Sequence, residues 1–569
     1  MHVPQGSLRP RAILDALATE GAPEQAASLR HEPAANLRKK VLFASAVAAV
    51  VVLAFSLRLP GLAPPSLYLD DAWVALLARD ASLSDLLAIK PHHPLGFIVL
   101  LAVAHRLLPG AELSVQLVPF AASLALVPLG AWLVRRRTGG FSGGILAAVL
   151  LALNPTLSDY AVRAKPYATD ALLALVLVAA TQRCLAEPSA RRLGRLALLA
   201  PLAALFSYPA ALVGAVGFVG AFAAALAATP ERAQRDALMR IAAAFLAADV
   251  LLGFLLVYGQ ANRALTSYWE GGFVPLHDPA VAIAFVVSRT TLVFTSSFPR
   301  GFQALGILVP LGFALLLAHR GTRLAAGLLG ALWAAFWMAA AMRLYPVDDR
   351  TTSFAYPLVA LLAVWTICFE MRRVSSPLIR EGVPAFLAAA LLVSSAVPVT
   401  YPASEDARLV RALVAEARPG DDVLLFPHAN WSAGYYSGWP VHLAPVDYYG
   451  TRFEARLLRE GAVTLPGLAG YEDRPQLLDP TLRKLVSRRP ERVLYLATHL
   501  DAAYYGAHFH IRDFLGASGY RSERLALARD GELLSFSRQP PRPESGAPPR
   551  LPQAGESRPG PLSSTPAAP

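Results

Sequence analysis

Long apolar runs recur along the chain up to about residue 399, and short polar stretches separate them. The runs are rich in Ala, Leu, Val and Gly, and they lack the alternation of apolar and polar positions that is typical of barrel strands. A helix of roughly 17 to 25 apolar residues crosses the hydrocarbon core of a bilayer. The pattern therefore predicts a polytopic α-helical membrane protein.

Short basic clusters between the runs predict the orientation. Basic loops favour the cytoplasmic side, so placing every cluster there predicts about 11 to 13 crossings. The first run follows Arg38, Lys39 and Lys40, which indicates an uncleaved signal anchor and a cytoplasmic segment at residues 1–40. A transmembrane domain is expected at residues 41–400, with a first external loop at 59–112. The crossings fall at residues 41–57, 113–134, 143–160, 169–186, 195–208, 210–228, 238–258, 303–319, 323–342, 353–370 and 381–399.

Two further apolar runs leave the count of crossings open. Residues 94–108 are few for a span, and we interpret them as a part of the external loop that enters the membrane without crossing it. Residues 281–298 carry Arg289 near their middle, where a charge costs roughly 2.5 to 3.5 kcal/mol. Arg289 indicates either a segment along the interface or one that lines a polar cavity and contacts substrate.

Composition agrees with the membrane class and excludes others. The 569 residues are 55% hydrophobic and 16% charged. The formal charge of +12 comes mainly from clusters between apolar runs, so it indicates orientation in lipid and no nucleic-acid partner. Cys184 and Cys368, the two cysteines, fall within or at the end of predicted spans, which excludes a disulfide framework and a cysteine metal site.

The pattern changes after the last apolar run. Residues 421–426, 492–496 and 533–537 are candidate strands, and residues 405–417 and 507–515 have helical periodicity. We predict a soluble α/β domain at residues 401–538, which an odd number of crossings places outside the membrane. Residues 539–569 are rich in Pro, Ser, Gly and Arg without apolar periodicity, and we expect them to be disordered.

Asp70 and Asp71 are the first candidates for chemistry, because they begin the segment LDDAWVALLARD in the external loop. A carboxylate at the boundary between water and membrane can activate a hydroxyl against a lipid-linked donor. The alternative is structural, since acidic residues also stabilise the N-terminus of an interfacial helix.

The order of motifs resembles a known family. After the acidic pair come KPHHPLGFIVLLAVAHRLLPGAE, a span ending in RRRTGG, the stretch NPTLSDYAVRAKPYATD, and RLYPVDDRTTSFAYPLVALLA from Arg343. This order resembles the GT-C fold membrane glycosyltransferases related to protein O-mannosyltransferases and to the aminoarabinose transferase of lipid A, a group similar to glycosyltransferase family 39. The resemblance covers most of residues 40–400.

The resemblance implies transfer of a sugar from a polyprenyl-phosphate donor to an acceptor hydroxyl on the outer face of a bacterial plasma membrane. The acceptor would be a glycan, a lipid or a protein. Asp70 or Asp71 would be the general base, with Asp71 slightly less favoured. The departing phosphate needs cations, and Arg163 and Lys165 are suitable if they do not merely extend from a helix end to the interface.

Other residues are assigned to the site with their alternatives. Arg350 would bind the donor phosphate or pair with the acids before it. His92 and His93 would hydrogen-bond the phosphate or help to hold a divalent cation; no metal ligand set is predicted. Asp159 would orient the acceptor or a metal, or cap a turn. Tyr167 ends a Lys-Pro-Tyr stretch that resembles the family's Arg-Pro-Tyr element, and it is expected to contact substrate.

Aromatic and imidazole side chains of the external domain suit sugar rings, but they also suit a membrane surface or the domain's own core. They are Trp431, Tyr435, Tyr436, Trp439, Tyr448, Tyr449, Tyr504, Tyr505, His508 and His510.

Two other functional classes stay open. A transporter or flippase for lipid-linked sugars would carry charges deep within its spans and an internal repeat, and a non-catalytic scaffold that binds envelope glycans would not need the acidic pair.

Overall fold

A computed structural model describes residues 33–109, 112–260, 269–319, 322–448, 451–467, 471, 473–500 and 504–539. Helices make up the part before residue 396, and strands occur only after residue 421 among the described residues. Most of the expected cytoplasmic segment and the expected disordered tail after residue 539 lie outside these ranges.

The membrane part contains helices α1 to α16. In chain order their bounds are Pro33–Arg58, Leu69–Asp80, Leu83–Ile89, Leu95–Leu107, Leu113–Thr138, Phe141–Leu153, Pro155–Asp159, Tyr167–Ala186, Ala190–Ala204, Tyr208–Ala228, Arg232–Gln260, Pro279–Ser296, Leu308–Ala318, Arg323–Ala341, Tyr356–Met371 and Pro377–Ser395.

Within the described ranges, eight helical segments are long and apolar enough to cross a membrane. They are Leu37–Gly61, Leu113–Thr138, Tyr167–Ala186, Tyr208–Ala228, Pro279–Ser296, Arg323–Ala341, Ser353–Met371 and Pro377–Ser395. A continuous core of small and aliphatic side chains joins most of the membrane helices. The predicted class, a polytopic α-helical membrane protein with a C-terminal α/β domain, is confirmed.

Two expected crossings are shorter than the sequence suggested, and a third, at 195–208, is shifted toward the N-terminus. The run at 143–160 divides into α6 and the short α7, because Asn154 accepts a hydrogen bond from the Leu157 amide at 2.8 Å and Pro155 begins a new helix. The run at 195–208 is covered by the 15-residue α9, and Ser207 caps the next helix. In the run at 303–319, a 3₁₀ turn precedes the 11-residue α13.

The two runs with open assignments form helices α4 and α12. Helix α4 has 13 residues, about 20 Å of helix, which is less than the roughly 30 Å of a hydrocarbon core. Helix α12 has 18 residues, which is enough to cross by length and composition. Non-crossing of residues 94–108 stays a prediction.

The C-terminal domain contains helices α17 to α20 (Asp406–Glu416, Ala429–Tyr436, Asp479–Ser487 and Tyr505–Ala517) and strands β1 to β7 (Asp422–Leu425, Val441–Tyr448, Thr451–Leu457, Ala462–Thr464, Arg492–Ala497, Tyr520–Ala528 and Gly531–Arg538). Five strands form a sheet in the order β4-β1-β5-β7-β6, and β2 and β3 form a separate antiparallel pair. Strand β1 pairs in parallel with β4 and β5 and is buried along its length, so its sequence is continuously apolar after Asp422. The three predicted strands correspond to β1, β5 and β7.

The external loop and the α/β domain share a third apolar cluster, to which Trp73 of helix α2 and Trp431 of helix α18 both belong. Hydrogen bonds reinforce this contact. Arg79 donates to the carbonyl oxygens of Tyr435 at 2.6 Å and Gly434 at 2.8 Å. The α/β domain is thereby held against the loop that carries the acidic pair.

Candidate active site

A cavity of about 1160 Å³ lies where the external loop, the membrane helices and the α/β domain meet. Its polar and aromatic lining comes from every part of the chain. The loop and the turn after α7 supply Tyr68, Asp70, Trp73, His92, His93, Tyr160, Arg163 and Lys165. Membrane helices and a late loop supply Tyr167, Asp170, Asp249, Trp269, Arg343, Tyr345 and Arg350, and the α/β domain supplies His428, Trp431, His499, Tyr504 and Asp530.

Asp71 is completely buried and is bound on all sides. Its Oδ2 lies 2.6 Å from Nε of Arg163 and accepts a hydrogen bond from the Tyr401 hydroxyl, and its Oδ1 accepts from the Ala164 amide at 3.0 Å. Burial is the largest single influence and would lower the pKa of Arg163, but the charge and hydrogen bond of Asp71, together with Tyr401 and Asp159, outweigh burial and raise the pKa. Asp71 therefore joins three segments and is not among the residues that line the cavity.

The turn that carries Arg163 is fixed by a buried glutamine of helix α5. Gln116 donates to the carbonyl oxygen of Val162 and to that of Gly61 at 3.2 Å, and its Oε1 accepts from the Ala63 amide at 2.8 Å. A buried amide with three partners determines the relative position of all three segments. The Arg163 side chain is directed toward Asp71 for this reason.

Asp70 has the opposite surroundings, since 37% of its side chain is exposed within the cavity. Its Oδ2 lies 3.6 Å from Nζ of Lys165 and 4.0 Å from Nη1 of Arg350. Desolvation raises the pKa of Asp70, but Lys165, Arg163 and Arg350 together outweigh it, and the net pKa lies below the usual value. Asp70 is therefore an ionised carboxylate that a substrate hydroxyl can reach.

Lys165 is held in a buried pocket between Asp70 and aromatic side chains. Nζ donates to the carbonyl oxygen of Asp70 at 3.1 Å and lies 4.7 Å from the ring centroid of Trp73. The His93 ring stacks on the Trp73 ring, with the ring centroids 4.8 Å apart. Burial, followed by the charge of Lys165, lowers the pKa of His93 well below its usual value, so His93 is a neutral imidazole.

Arg350 approaches from the loop before helix α15. Its Nε lies 3.5 Å from Oδ1 of Asp348, and its guanidinium lies 4.5 Å from the Trp269 ring centroid. The Tyr356 hydroxyl donates to Asp349, and Thr351 donates to the carbonyl oxygen of Pro346 at 2.8 Å. These bonds fix the loop and leave Arg350 pointing into the cavity beside Asp70, partly exposed.

The other predicted site residues divide into two groups. His92 and Tyr167 line the cavity, and Tyr167 packs edge to face against Tyr160 at 4.6 Å. Asp159 ends helix α7 behind the Arg163 turn and is not among the lining residues. Arg289 is half-buried and donates to the carbonyl oxygen of Gly271 at 3.0 Å, and it is not among the residues that line this cavity.

Several lining residues were not predicted. Asp170 and Asp249 are acidic residues within helices α8 and α11, and an ionisable residue inside an apolar helix is a sequence signal that could have indicated them. His428 and His499 carry no such signal. They reach the cavity only because the α/β domain contacts the loop.

His499 is held between two carboxylates at the edge of the cavity. Its Nε2 lies 2.9 Å from Asp406 and its Nδ1 lies 3.5 Å from Asp530. Burial lowers the pKa of His499, but these carboxylates outweigh burial and raise it. The backbone of His499 is left-handed, with φ of 56°, which costs roughly 1 to 2 kcal/mol for a residue with a side chain. Two ion pairs stabilise the strained position.

No group of three or more His, Cys, Asp or Glu side chains that could hold a metal ion is found in the part of the chain that the structure describes. The cations of the cavity lie beside Asp70. An anionic group entering the cavity would meet Lys165 and Arg350, while a hydroxyl could approach the carboxylate. The arrangement suits a reaction in which an anion departs and a hydroxyl loses its proton.

Comparison with known proteins finds this fold in membrane glycosyltransferases. Neither a protein-family model nor a curated protein sequence matches the chain. The crystal structure of the Archaeoglobus fulgidus oligosaccharyltransferase in complex with zinc and sulfate matches with a TM-score of 0.51 and 12% identity, over 84% of this chain and 71% of that one. The crystal structure of ArnT from Cupriavidus metallidurans in the apo state matches with a TM-score of 0.51 and 13% identity, over 88% of this chain and 98% of that one. The likeness shows that the chain has the GT-C fold, as its motifs predict.

Proposed function

We propose that this chain transfers a sugar from a polyprenyl-phosphate donor to an acceptor hydroxyl, with Asp70 as the general base. One observation carries the proposal. Asp70 is a partly exposed carboxylate with Lys165 3.6 Å away and Arg350 4.0 Å away in a single cavity. A base and phosphate-binding cations in contact are what transfer from a phosphate-linked donor requires.

The reaction follows from this placement. The acceptor oxygen attacks the anomeric carbon while Asp70 takes the hydroxyl proton. The bond from the anomeric carbon to the phosphate oxygen breaks, and the polyprenyl phosphate departs with the electron pair beside Lys165 and Arg350. Direct displacement inverts the anomeric centre.

Donor binding would also strengthen the base. The cations lower the pKa of Asp70 in the empty cavity, which keeps it ionised but makes it a weak proton acceptor. A bound phosphate would offset the charge of Lys165 and Arg350, so the pKa of Asp70 would rise when the donor is in place. Proton transfer to Asp70 is then favoured only in the complex that can react.

The polyprenyl donor is supported by the position of the cavity at the ends of the apolar helices, where a lipid tail can remain in the membrane. We propose a bacterial plasma membrane, with the N-terminus in the cytoplasm and the α/β domain on the outer side. This orientation rests on the basic clusters, which favour the cytoplasm. The acceptor is a glycan, a lipid or a protein.

The test is sugar transfer in membranes that contain the chain, supplied with radiolabelled polyprenyl-phosphate sugars. Asp70→Asn should reduce transfer by about 10² to 10⁴-fold. Asp80→Asn, on the same helix and paired with Arg79 at 2.7 Å, is the matched control and should keep wild-type transfer. Equal transfer by wild type and Asp70→Asn would show that Asp70 is not the base, and no transfer from any donor by wild type would contradict the proposed activity.

A further inference from the structure

The cavity is larger than one small ligand needs. Pockets for such ligands measure roughly 300 to 1000 Å³, and this cavity measures about 1160 Å³. The lining also differs between its two ends. Both walls carry imidazole, phenol and carboxylate groups, but the Lys and Arg side chains among the lining residues, including Arg163, Lys165 and Arg350, all lie on the membrane-side wall. The difference indicates two subsites with different chemistry.

The α/β wall is net negative. The His499 imidazole lies between the carboxylates of Asp406 and Asp530, so one cation is flanked by two anions. Asp70 adds a third carboxylate on the facing side, and it interacts electrostatically with both His499 and His428. A phosphate or carboxylate placed here would be repelled, so this wall does not suit an anionic ligand.

Three side chains give this wall the features of a surface for polyhydroxyl ligands. His428 is 6% exposed, it lines the cavity, and its Nδ1 has no hydrogen-bond partner among the described residues. Burial lowers the pKa of His428 to about 3, so it is a neutral imidazole that can exchange hydrogen bonds with a hydroxyl. Tyr504 is half-buried, and its ring packs against His428 edge to face at 4.4 Å. Asp530 keeps 28% of its side chain exposed.

We propose that His428, Tyr504 and Asp530 form an acceptor subsite that binds a neutral sugar unit of a glycan or glycolipid. A carboxylate and a neutral imidazole bind ring hydroxyls, and a tyrosine ring packs against the apolar face of a sugar. The subsite rests on the proposed function, because it faces Asp70 across the cavity that would hold the donor. Of the glycan, lipid and protein acceptors considered above, the subsite favours a glycan or a glycolipid.

The experiment measures ligand binding by the full chain in lipid nanodiscs, so it does not depend on catalysis. Saturation-transfer NMR with millimolar neutral methyl glycosides reports the subsite, and glucuronic acid, glucose 6-phosphate and a Ser/Thr peptide are comparison probes. Titration with undecaprenyl phosphate, followed by tryptophan fluorescence, reports the cationic end. We expect the saturation-transfer signal of the neutral glycosides to fall at least fivefold in the Tyr504→Ala variant. Tyr505→Ala, the exposed neighbour that does not line the cavity, should match wild type.

Failure of this inference differs from failure of the proposed function. If undecaprenyl phosphate binds but neutral glycosides do not, or if Tyr504→Ala leaves their saturation unchanged, the subsite is wrong and the donor site stands. A stronger signal from the peptide or from the anionic sugars would also overturn the subsite. If undecaprenyl phosphate does not bind wild type, the proposed function fails whatever the glycosides do. If Tyr504→Ala does not fold, Asp530→Asn, which keeps the side-chain size, gives the same comparison.

Discussion

Replacing Asp71 by asparagine should destabilise the protein, because the ion pair of Asp71 with Arg163 is almost dry. The Asp71 side chain is 0% exposed and that of Arg163 is 11% exposed. Removing one partner of a buried ion pair leaves an uncompensated charge and costs about 3 to 5 kcal/mol. An asparagine also cannot accept from every donor that the carboxylate satisfies, since one of its two terminal atoms is itself a donor. We therefore expect Asp71→Asn to lose stability of this order.

A comparison with a double variant separates the cost of an unpaired buried charge from the cost of lost side-chain packing. Arg163→Met alone should also destabilise, because it leaves the buried Asp71 without its cation. The combined variant Asp71→Asn/Arg163→Met removes both charges, so its loss should be smaller than the sum of the two single losses. Asp70→Asn removes the carboxylate beside the buried Lys165, but 37% of the Asp70 side chain is exposed, so it should lose less stability than Asp71→Asn.

The assay heats the purified protein and records the temperature at which its monodisperse size-exclusion peak is lost. Sugar transfer is measured alongside. The expected pattern is a lower melting temperature for Asp71→Asn than for Asp70→Asn, although Asp70→Asn is the variant that loses transfer. An Asp71→Asn variant that melted like wild type and still lost transfer would contradict this assignment. Asp71 would then be the base, and the ion pair would not be the element that holds the loop.

Three further predictions concern the cavity and the contact around it. Arg350→Ala should weaken undecaprenyl phosphate binding about 10- to 100-fold, which corresponds to the loss of a charged hydrogen bond of roughly 1.5 to 3 kcal/mol. Arg289→Ala, at a cation that does not line the cavity, should leave the titration with undecaprenyl phosphate unchanged. Lys165→Met removes a cation that lowers the pKa of Asp70, so the acid limb of the pH profile of transfer should move to higher pH; an unmoved limb would contradict this. Gly434→Val should lower the free energy of unfolding by roughly 1 to 3 kcal/mol, because a Cβ there would lie 3.2 Å from side-chain atoms of Ala455 and Leu76. The same heating assay should show this loss as a lower melting temperature.

The sequence predicted the site residues that lie next to the ends of the apolar helices. The apolar runs indicated the helices, and the acidic pair, the Arg163 turn and Arg350 follow them at helix ends that meet at one boundary. The sequence did not decide between Asp70 and Asp71. That choice depends on Arg163, 92 positions away, whose Nε bonds to Asp71, and on which carboxylate the folded loop buries.

The α/β wall could not be predicted, for a different reason. His428 and His499 belong to a domain whose contact with the external loop is made by side chains without a distinctive pattern, such as the Tyr436 hydroxyl that accepts from the Leu67 amide at 2.6 Å. Of the aromatic and imidazole residues that the sequence suggested for sugar binding, Trp431 and Tyr504 line the cavity, whereas His508 and His510 pair with Glu532 and Asp479. Tyr449 lies outside the described residues. Only the fold distinguishes these cases.

The same contacts bear on whether the cavity belongs to a transferase or to a transporter. A transporter must open its site alternately to each side of the membrane, by moving one part of the fold against another. Here the α/β domain is joined to the external loop by two carbonyl bonds from Arg79 and by the Tyr436 hydroxyl, and the Tyr401 hydroxyl at the start of the C-terminal region donates to Asp71 of the buried ion pair. Each opening would expose these charges and break these bonds. A transferase needs only to admit its donor from the lipid and its acceptor beside Tyr504, and it can keep the wall in place throughout the reaction.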